Sequence, residues 1–183
     1  MPTLTFPISR IEGHAQVVLE VEQGKALAAR FQAIEFRGFS YLVLGAPAEQ
    51  MPVIAPRICG ICSTAHHLAS VKALEDAYGV TPPATAQRIR ELLMLGQIIQ
   101  NQATSMFIFT FPDRLGLSSI FEEDERGPQH SSGIATRALR VRKAGTDLIT
   151  LAGGQFIHPV KAVVGGVISG IPSDVAEKMR AQI

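Results

Sequence analysis

ATAQRIRELLMLGQIIQNQATSMFIF, residues 84–109, predicts the long central helix of the fold. Apolar or small residues recur along it at helical spacing, and the stripe consists of Ile89, Leu92, Leu93, Gly96, Ile99, Ala103 and Met106. A proline pair directly precedes the stretch, which is compatible with a helix start. The pattern predicts a long helix over 84–109 and then a loop over 110–128, which contains Pro112 and the acidic run 122–125.

Helical patterns also lie on both sides of this segment. From Ser63, apolar residues fall at helical spacing until Gly79, which is typical of a helix C-cap. A third helix is predicted over about 130–151, and Pro172 starts a last one. A Gly-rich connection over 153–166 separates these two helices.

The N-terminal part of the chain has a different period. Residues 15–22 and 26–36 are typical of two strands and residues 23–25 of a turn, which together predict an antiparallel hairpin. Residues 38–45 and 47–54 are short apolar segments of ambiguous type. We therefore expect an α+β fold, in which an N-terminal antiparallel hairpin or small sheet precedes a mainly helical body with a long central helix.

Composition excludes several classes of protein. Of the 183 residues 46% are hydrophobic and 18% are charged, which excludes a disordered chain, and the net charge of +1 gives no basic surface for nucleic acid. No run of about 18 apolar residues predicts a membrane span, and the N-terminus lacks the pattern of a signal peptide. Two cysteines form no disulfide framework, so we expect a reducing, cytoplasmic location.

The only two cysteines lie in RICGICSTAHH, residues 57–67. The two-residue spacing brings the sulfurs of Cys59 and Cys62 within reach of one metal ion or of each other. Cys62 directly precedes a predicted helix, whose unpaired backbone N–H groups stabilise a thiolate. His66 follows one turn later on the same helix face, where it can hydrogen-bond a sulfur-ligated centre or ligate one itself.

Taken alone, these residues leave several kinds of site open. Two small cysteines and a histidine can simply pack inside a core. A thioredoxin-like redox pair is expected after a strand–helix unit, whereas a hairpin precedes this motif. A structural zinc ion needs four ligands, and no second C-x-x-C is present. By itself the motif is therefore half of a metal site.

Three motifs, in order along the chain, resemble the large subunits of nickel–iron hydrogenases. RICGICSTAH, residues 57–66, is similar to the family's R-x-C-G-x-C-x-x-x-H, and SRIEGHAQV, residues 9–17, resembles the R-I-E-G-H segment that leads into its first strand. GGQFIHP, residues 153–159, together with the glycine pair 165–166, is similar to a segment of some branches. The resemblance extends over the chain and implies that residues 1–183 are the N-terminal part of a longer large-subunit domain.

The resemblance implies an enzyme that interconverts H2 with two protons and two electrons at a nickel–iron centre, whose iron carries carbon monoxide and cyanide ligands. Four cysteines hold the two metals in that family. By position, Cys59 corresponds to a nickel ligand and Cys62 to a cysteine that bridges nickel and iron. Glu12 matches the glutamate that carries a proton to or from a nickel-bound sulfur. His66 matches the histidine that hydrogen-bonds a bridging sulfur.

Other residues in these motifs are expected to be structural. His14 and His158 are interpreted as hydrogen-bonding residues rather than ligands. His67 has no role in the motif and is predicted to lie on the helix surface. Arg57 is expected to brace the loop around the site through charge-assisted hydrogen bonds.

Two departures limit what the resemblance implies. Ser40 follows R-G-F, where many family members have a glutamate that binds magnesium, so the magnesium site is in doubt. Residues 1–183 contain no second C-x-x-C, so the chain is expected to be inactive alone. The remainder of the large subunit, or another chain, would supply the missing cysteines. An iron–sulfur small subunit would carry the electrons.

A second kind of function stays open beside the enzyme. A non-catalytic scaffold, a truncated remnant or a hydrogen-sensing subunit related to the family would carry similar motifs. The related subunit of respiratory complex I has lost the cysteines, so the presence of Cys59 and Cys62 argues against that scaffold. Family members can be exported through a partner's signal peptide, so a membrane-associated or exported location is the alternative to the cytoplasm.

Overall fold

The structure is a computed structural model, and it describes residues 2–35, 37–121 and 128–182. The chain forms two compact units, Met1–Leu44 and Gly45–Ile183, and each is described by itself. Within the described ranges, no helix is both long and apolar enough to cross a membrane. The acidic run 122–125, predicted to belong to a loop, lies outside the described residues.

The N-terminal unit contains a three-stranded antiparallel sheet in the order β1–β2–β3. Its strands are β1 (Thr3–Ile8), β2 (Ala15–Glu22) and β3 (Lys25–Ala33). The predicted hairpin is β2–β3, and its turn consists of Gln23 and Gly24, which both have positive φ (50° and 76°). Positive φ at both central positions matches the twist of the flanking strands, so the two-residue turn sets their register.

Strand β1 was not predicted from the sequence. Pro7 lies inside it, and proline lacks the N–H that a central strand needs. β1 is an edge strand, where one side of the backbone has no partner strand and proline is tolerated. The sheet therefore has three strands, within the small sheet that was expected.

The second unit is mainly helical, which confirms the α+β fold class. The helices of the two units are α1 (Phe39–Leu42), α2 (Met51–Ile54), α3 (Ser63–Tyr78), α4 (Ala84–Ala103), α5 (Phe111–Leu115), α6 (Pro128–Gly153) and α7 (Ser173–Gln182). A short hairpin of β4 (Ala162–Val163) and β5 (Gly166–Val167) lies in the Gly-rich connection. Helix α3 ends as predicted at Gly79, whose φ of 66° lets the Val80 N–H bond the Glu75 carbonyl at 2.9 Å.

The long helix does not end at residue 109, so the prediction of a loop from 110 is wrong for its first residues. Helix α4 continues as a π-helical stretch, Thr104–Thr110, and then as α5. Pro112 falls in the first turn of α5, a position where proline is tolerated. Gly116, with a φ of 68°, then ends the helical run.

The core of the helical unit lies between α3, α4 and α6. Its buried apolar side chains are Leu68, Val71, Ile89, Leu93, Ile149, Ala152 and Ala162. Helices α4 and α6 approach each other at Gly96 and Gly145, where a Cβ on Gly145 would lie 2.5 Å from the backbone nitrogen of Gln100. No side chain fits in that space, so the two glycines set the distance between the helices.

A buried ion pair ties α3 and α4 to the β4–β5 hairpin. The Arg90 guanidinium donates to both carboxylate oxygens of Glu75, at 2.7 and 2.8 Å. It also donates to the carbonyls of Val163 and Gly166, both at 2.7 Å, while the Gly165 N–H donates to Glu75 at 2.8 Å. The bonds from Arg90 hold the pKa of Glu75 below its ordinary value. Neither residue was singled out in the sequence, because their partners are distant along the chain.

Candidate metal centre

The C-x-x-C lies where a 3₁₀ turn meets the start of α3. Ala55–Ile58 form the 3₁₀ turn, and Cys59 then has an extended backbone with φ −144° and ψ 134°. Cys62 is the N-cap residue of α3, as the sequence predicts. The motif is therefore carried by one turn of chain that is fixed at its end by a helix.

The two cysteines are not joined in a disulfide, and they lie on the same turn. Both cysteines are half-buried, and the backbone N–H of Cys62 donates to Sγ of Cys59 over 3.3 Å. This bond folds the chain back between the two cysteines. Cysteine sulfurs are soft ligands that favour nickel, iron, copper or zinc over hard cations such as magnesium. The turn thus presents two suitable donors.

His67 is buried, so the prediction that it lies on the helix surface is wrong. Its side chain is 1% exposed, and its Nδ1 lies 2.9 Å from the carbonyl oxygen of Pro52. A carbonyl only accepts, so Nδ1 carries the hydrogen. Burial lowers the pKa of His67, which leaves the ring neutral, and Nε2 has no partner among the described residues. The packing of 51–54 on α3 buries this ring, and helical period cannot reveal such a contact.

His158 ties the Gly-rich connection to the cysteine motif. Its Nδ1 donates to the carbonyl of Pro56 at 3.0 Å, and its backbone N–H donates to Oγ of Ser63 at 3.2 Å. These bonds confirm the prediction of a hydrogen-bonding histidine. Arg57 likewise donates to the carbonyl of Val53, as expected for a residue that braces this loop. We call residues 51–62, which carry these carbonyls, the cysteine segment.

Gln97 was not predicted to belong to the site. It lies on α4, is 4% exposed and donates from Nε2 to the carbonyl oxygen of Ile61 at 2.9 Å. The sequence does carry one signal, since Arg90, Gln97 and Gln100 are polar residues on the buried face of α4. A buried polar side chain must find a partner, but its spacing does not say which one.

His66 lies in the first turn of α3. It is half-buried, and its backbone N–H donates to the carbonyl of Cys62 at 3.3 Å. Its ring has no hydrogen-bond partner within the described part of the chain. The predicted bond between His66 and a metal-bound sulfur therefore stays a prediction.

Glu12 belongs to the other compact unit. It is exposed in the loop between β1 and β2. In the same loop, His14 confirms its predicted structural role, because its Nδ1 lies 2.5 Å from a carboxylate oxygen of Glu35. Ser40 is an exposed residue of α1. The structure thus brings Cys59, Cys62 and His66 together in the helical unit and places Glu12 in the sheet unit.

The thiol pair is an incomplete ligand set in the described ranges. Among these residues, no group of three or more His, Cys, Asp or Glu side chains is arranged to hold a metal ion. A four-thiolate centre would need two donors beyond Cys59 and Cys62. The donor chemistry of the pair fits half of such a centre.

Comparison with known proteins gives one family for most of the chain. The family model described as nickel-dependent hydrogenase matches residues 37–129. A second model, described as HoxL-like, matches residues 5–36.

Curated relatives are named as hydrogenase subunits. The chain is 35% identical over 185 residues to a subunit of the vhu F420-non-reducing hydrogenase of Methanococcus voltae, covering 97% of this chain and 43% of that protein. It is 39% identical over 168 residues to the protein of the same name from Methanocaldococcus jannaschii, covering 87% of this chain and 39% of the relative. The chain therefore spans about two fifths of the length of these relatives.

Solved structures show the same architecture. A crystal structure of an NAD+-reducing [NiFe]-hydrogenase in the H2-reduced state matches with a TM-score of 0.84 at 32% identity, covering all of this chain and 42% of that one. The Ni-Fe-Se hydrogenase from D. vulgaris Hildenborough matches with a TM-score of 0.78 at 26% identity, covering 99% and 40%.

Proposed function

The chain belongs to the nickel-dependent hydrogenase family, and we propose that its cysteines supply two of the four thiolates of a nickel–iron centre that interconverts H2 with two protons and two electrons. Cys59 would hold nickel, and Cys62 would hold both nickel and iron. The observation that carries the proposal is the cysteine turn at the start of α3, in which the Cys62 N–H reaches the Cys59 sulfur over 3.3 Å.

The remaining two thiolates would come from outside residues 1–183. The chain spans 43% of its Methanococcus voltae relative, which leaves ample length for a second cysteine pair in a complete large subunit. Another chain that supplies a second C-x-x-C would serve equally. Carbon monoxide and cyanide on the iron belong to the proposal at the level of the family. A magnesium site does not, because Ser40 offers only a hydroxyl to a hard cation.

When bound, a nickel–iron centre supplies the redox chemistry that splits or forms H2. The residues of this chain would hold the metals and move the proton. Glu12 is proposed to exchange a proton at its carboxylate, since cleavage of H2 into unlike fragments requires a base. His66 is proposed to donate a hydrogen bond to the bridging sulfur and so to orient it.

Two kinds of partner follow from this proposal. H2 is the substrate, and an iron–sulfur small subunit would accept the electrons, because both cysteines of this chain are committed to the metal centre. Relatives are named as single subunits of hydrogenases, which supports a complex of several chains. We propose the cytoplasm as the location, with attachment to a membrane or export only through such a partner.

The test is the exchange of H2 with deuterium from D2O by the complex purified from its source organism. Cys59→Ser and Cys62→Ser are expected to abolish exchange, and Glu12→Gln to slow it by about 10²–10⁴-fold through loss of the proton acceptor. Glu22→Gln is the matched control, since Glu22 is an exposed glutamate at the end of β2 in the same unit. Exchange that survives in both cysteine variants would refute the proposal.

A further inference from the structure

One peptide unit in the cysteine segment is held at both ends. Its carbonyl, that of Ile61, accepts a hydrogen bond from Gln97 Nε2 at 2.9 Å. Its N–H, that of Cys62, donates to the Cys59 sulfur at 3.3 Å. The carbonyl and the N–H lie in one plane and rotate together. The side chain that fixes the carbonyl therefore also fixes the direction in which the N–H points.

Gln97 is well placed to fix this peptide unit. Its side chain is 4% exposed, and its helix is anchored at the neighbouring residue, Gly96, which packs against α6. The amide must turn Nε2 towards Ile61, because a carbonyl oxygen only accepts. The same nitrogen lies 3.4 Å from Oε1 of Gln100, which supports this orientation.

The bond also strengthens the contact with sulfur. A donor that pulls electron density towards the Ile61 oxygen makes the N–H of the same amide a better donor, as in other chains of hydrogen bonds. The chain of contacts thus runs from α4 through one amide to the Cys59 sulfur. His67 and His158 hold the carbonyls of Pro52 and Pro56, but neither of those peptide units includes a cysteine nitrogen.

We propose that Gln97 is a positioning residue for the cysteine pair. It holds the Ile61–Cys62 peptide so that the Cys62 N–H stays on the Cys59 sulfur, and the two sulfurs keep the relative placement that a shared metal centre needs. This inference rests on the proposed function for its purpose, whereas its geometry is a property of the chain without metal. Gln97 itself touches no reacting atom.

Two variants remove the bond in different ways. Gln97→Met keeps the length of the side chain and removes the donor, so the Ile61 carbonyl is left without its partner. Gln97→Asn keeps the amide but is one methylene too short to reach, and it guards against poor folding of the first variant. Gln102→Met is the matched control, because Gln102 is exposed on the same helix and has no hydrogen bond to Gln97 or to the cysteine segment among the described contacts.

The readout is the amide signal of each cysteine in the full chain, labelled with 15N-cysteine and kept reduced without metal. The chain has two cysteines, so the spectrum contains two amide signals, and Cys59→Ser assigns them. In both Gln97 variants the Cys62 amide is expected to move upfield and to exchange with D2O at least about tenfold faster, since it loses its fixed acceptor. The Cys59 amide and the spectrum of Gln102→Met are expected to change little.

Three results would overturn the proposal: a Cys62 amide that is unchanged in the Gln97 variants, equal changes at both cysteines, or the same change in Gln102→Met. The last two would mean that the cysteine amides respond to any change in α4 and that Gln97 is a general packing residue. The measurement contains no metal, so its failure leaves the proposed hydrogenase function untouched. Failure of that function, seen as unaffected exchange in the cysteine variants, would in turn leave this amide result standing.

Discussion

Glu75→Gln removes one charge from the buried pair that ties α3 and α4 to the β4–β5 hairpin. The substitution keeps the size of the side chain and one acceptor oxygen. Arg90 keeps its charge, is 5% exposed and loses its only counter-ion among the described contacts. We expect a marked loss of stability, because an uncompensated charge then remains buried.

The magnitude follows from the contacts of the pair. Removal of one partner from a buried ion pair costs about 3–5 kcal/mol in free energy of unfolding. Glutamine can still accept from either Arg90 or Gly165, so we expect the lower end, about 3 kcal/mol. Arg90→Met also leaves the carbonyls of Val163 and Gly166 without a donor, so we expect about 5 kcal/mol. The double variant removes both charges, and it should cost less than the sum by about 2–3 kcal/mol.

Urea unfolding of the full chain, followed by circular dichroism, measures these changes. With a slope of about 2 kcal/mol per molar urea, Glu75→Gln should lower the midpoint by about 1.5 M. The controls are Glu91→Gln and Arg88→Met, which change exposed charges on α4, the helix that carries Arg90, and should alter stability by less than about 0.5 kcal/mol.

A urea midpoint for Glu75→Gln equal to those of the two surface controls would show that Arg90 does not need this counter-ion. Strict additivity in the double variant would lead to the same conclusion, because the two charges would then not depend on each other. Either result would mean that the pair is solvated and that the hairpin is held in another way.

The remaining predictions concern pH and packing. Burial lowers the pKa of His67 below its ordinary 6.5, so His67 takes up a proton at a higher pH in the unfolded chain than in the folded chain. Stability should therefore fall as the pH drops below about 6.5, and His67→Gln should make the urea midpoint depend less on pH in this range. An unchanged slope in that variant would contradict the buried neutral ring. Hydrogen bonds from Arg90 lower the pKa of Glu75, so the contribution of Glu75 to stability is complete above about pH 4.5 and is lost as the pH falls through the lower pKa of the folded chain. The urea midpoint of Glu75→Gln should therefore fall less steeply in this range than that of the unchanged chain, and an equally steep fall would contradict the effect of Arg90 on the Glu75 carboxyl. Gly145→Ala should lower the free energy of unfolding by about 1–3 kcal/mol, because its Cβ would lie 2.5 Å from the backbone nitrogen of Gln100. Gly133→Ala is the control: its Cβ would meet nothing within 4 Å, so the variant should be neutral or stabilising when both are compared by thermal melting. Equal melting temperatures for these two variants would mean that α4 and α6 can move apart.

Local signals in the sequence predicted the elements whose ends are set by their own residues. Helix α3 begins after Cys62 and ends at Gly79, because an N-terminal turn and a positive-φ glycine are local features. The hairpin β2–β3 was predicted for the same reason. Pro112 misled the prediction of a loop from 110, because the π-helical stretch before it places the proline in a first turn. The local sequence pattern does not indicate the change from α-helical to π-helical hydrogen bonding over residues 104–110.

Contacts between distant parts of the chain account for what the sequence did not predict. The spacing of Cys59 and Cys62 indicated a shared turn, and the structure has one. Gln97 from α4 holds this turn at the Ile61 carbonyl, and His67 from α3 holds the start of the cysteine segment at the Pro52 carbonyl. Neither role follows from helical spacing. A side chain reaches a carbonyl on another element only after the fold has brought the two together. The same reason hid the Glu75–Arg90 pair.

The nickel content of the complex purified from its source organism is the direct test of whether Cys59 and Cys62 hold a nickel–iron centre. Nickel is the decisive metal, because iron–sulfur clusters of a partner would add iron of their own. We expect about one nickel per copy of this chain, measured by elemental analysis, and its loss in Cys59→Ser and in Cys62→Ser. A complex that contains the intact chain and no nickel, or that keeps its nickel in both variants, would rule out the proposed metal centre.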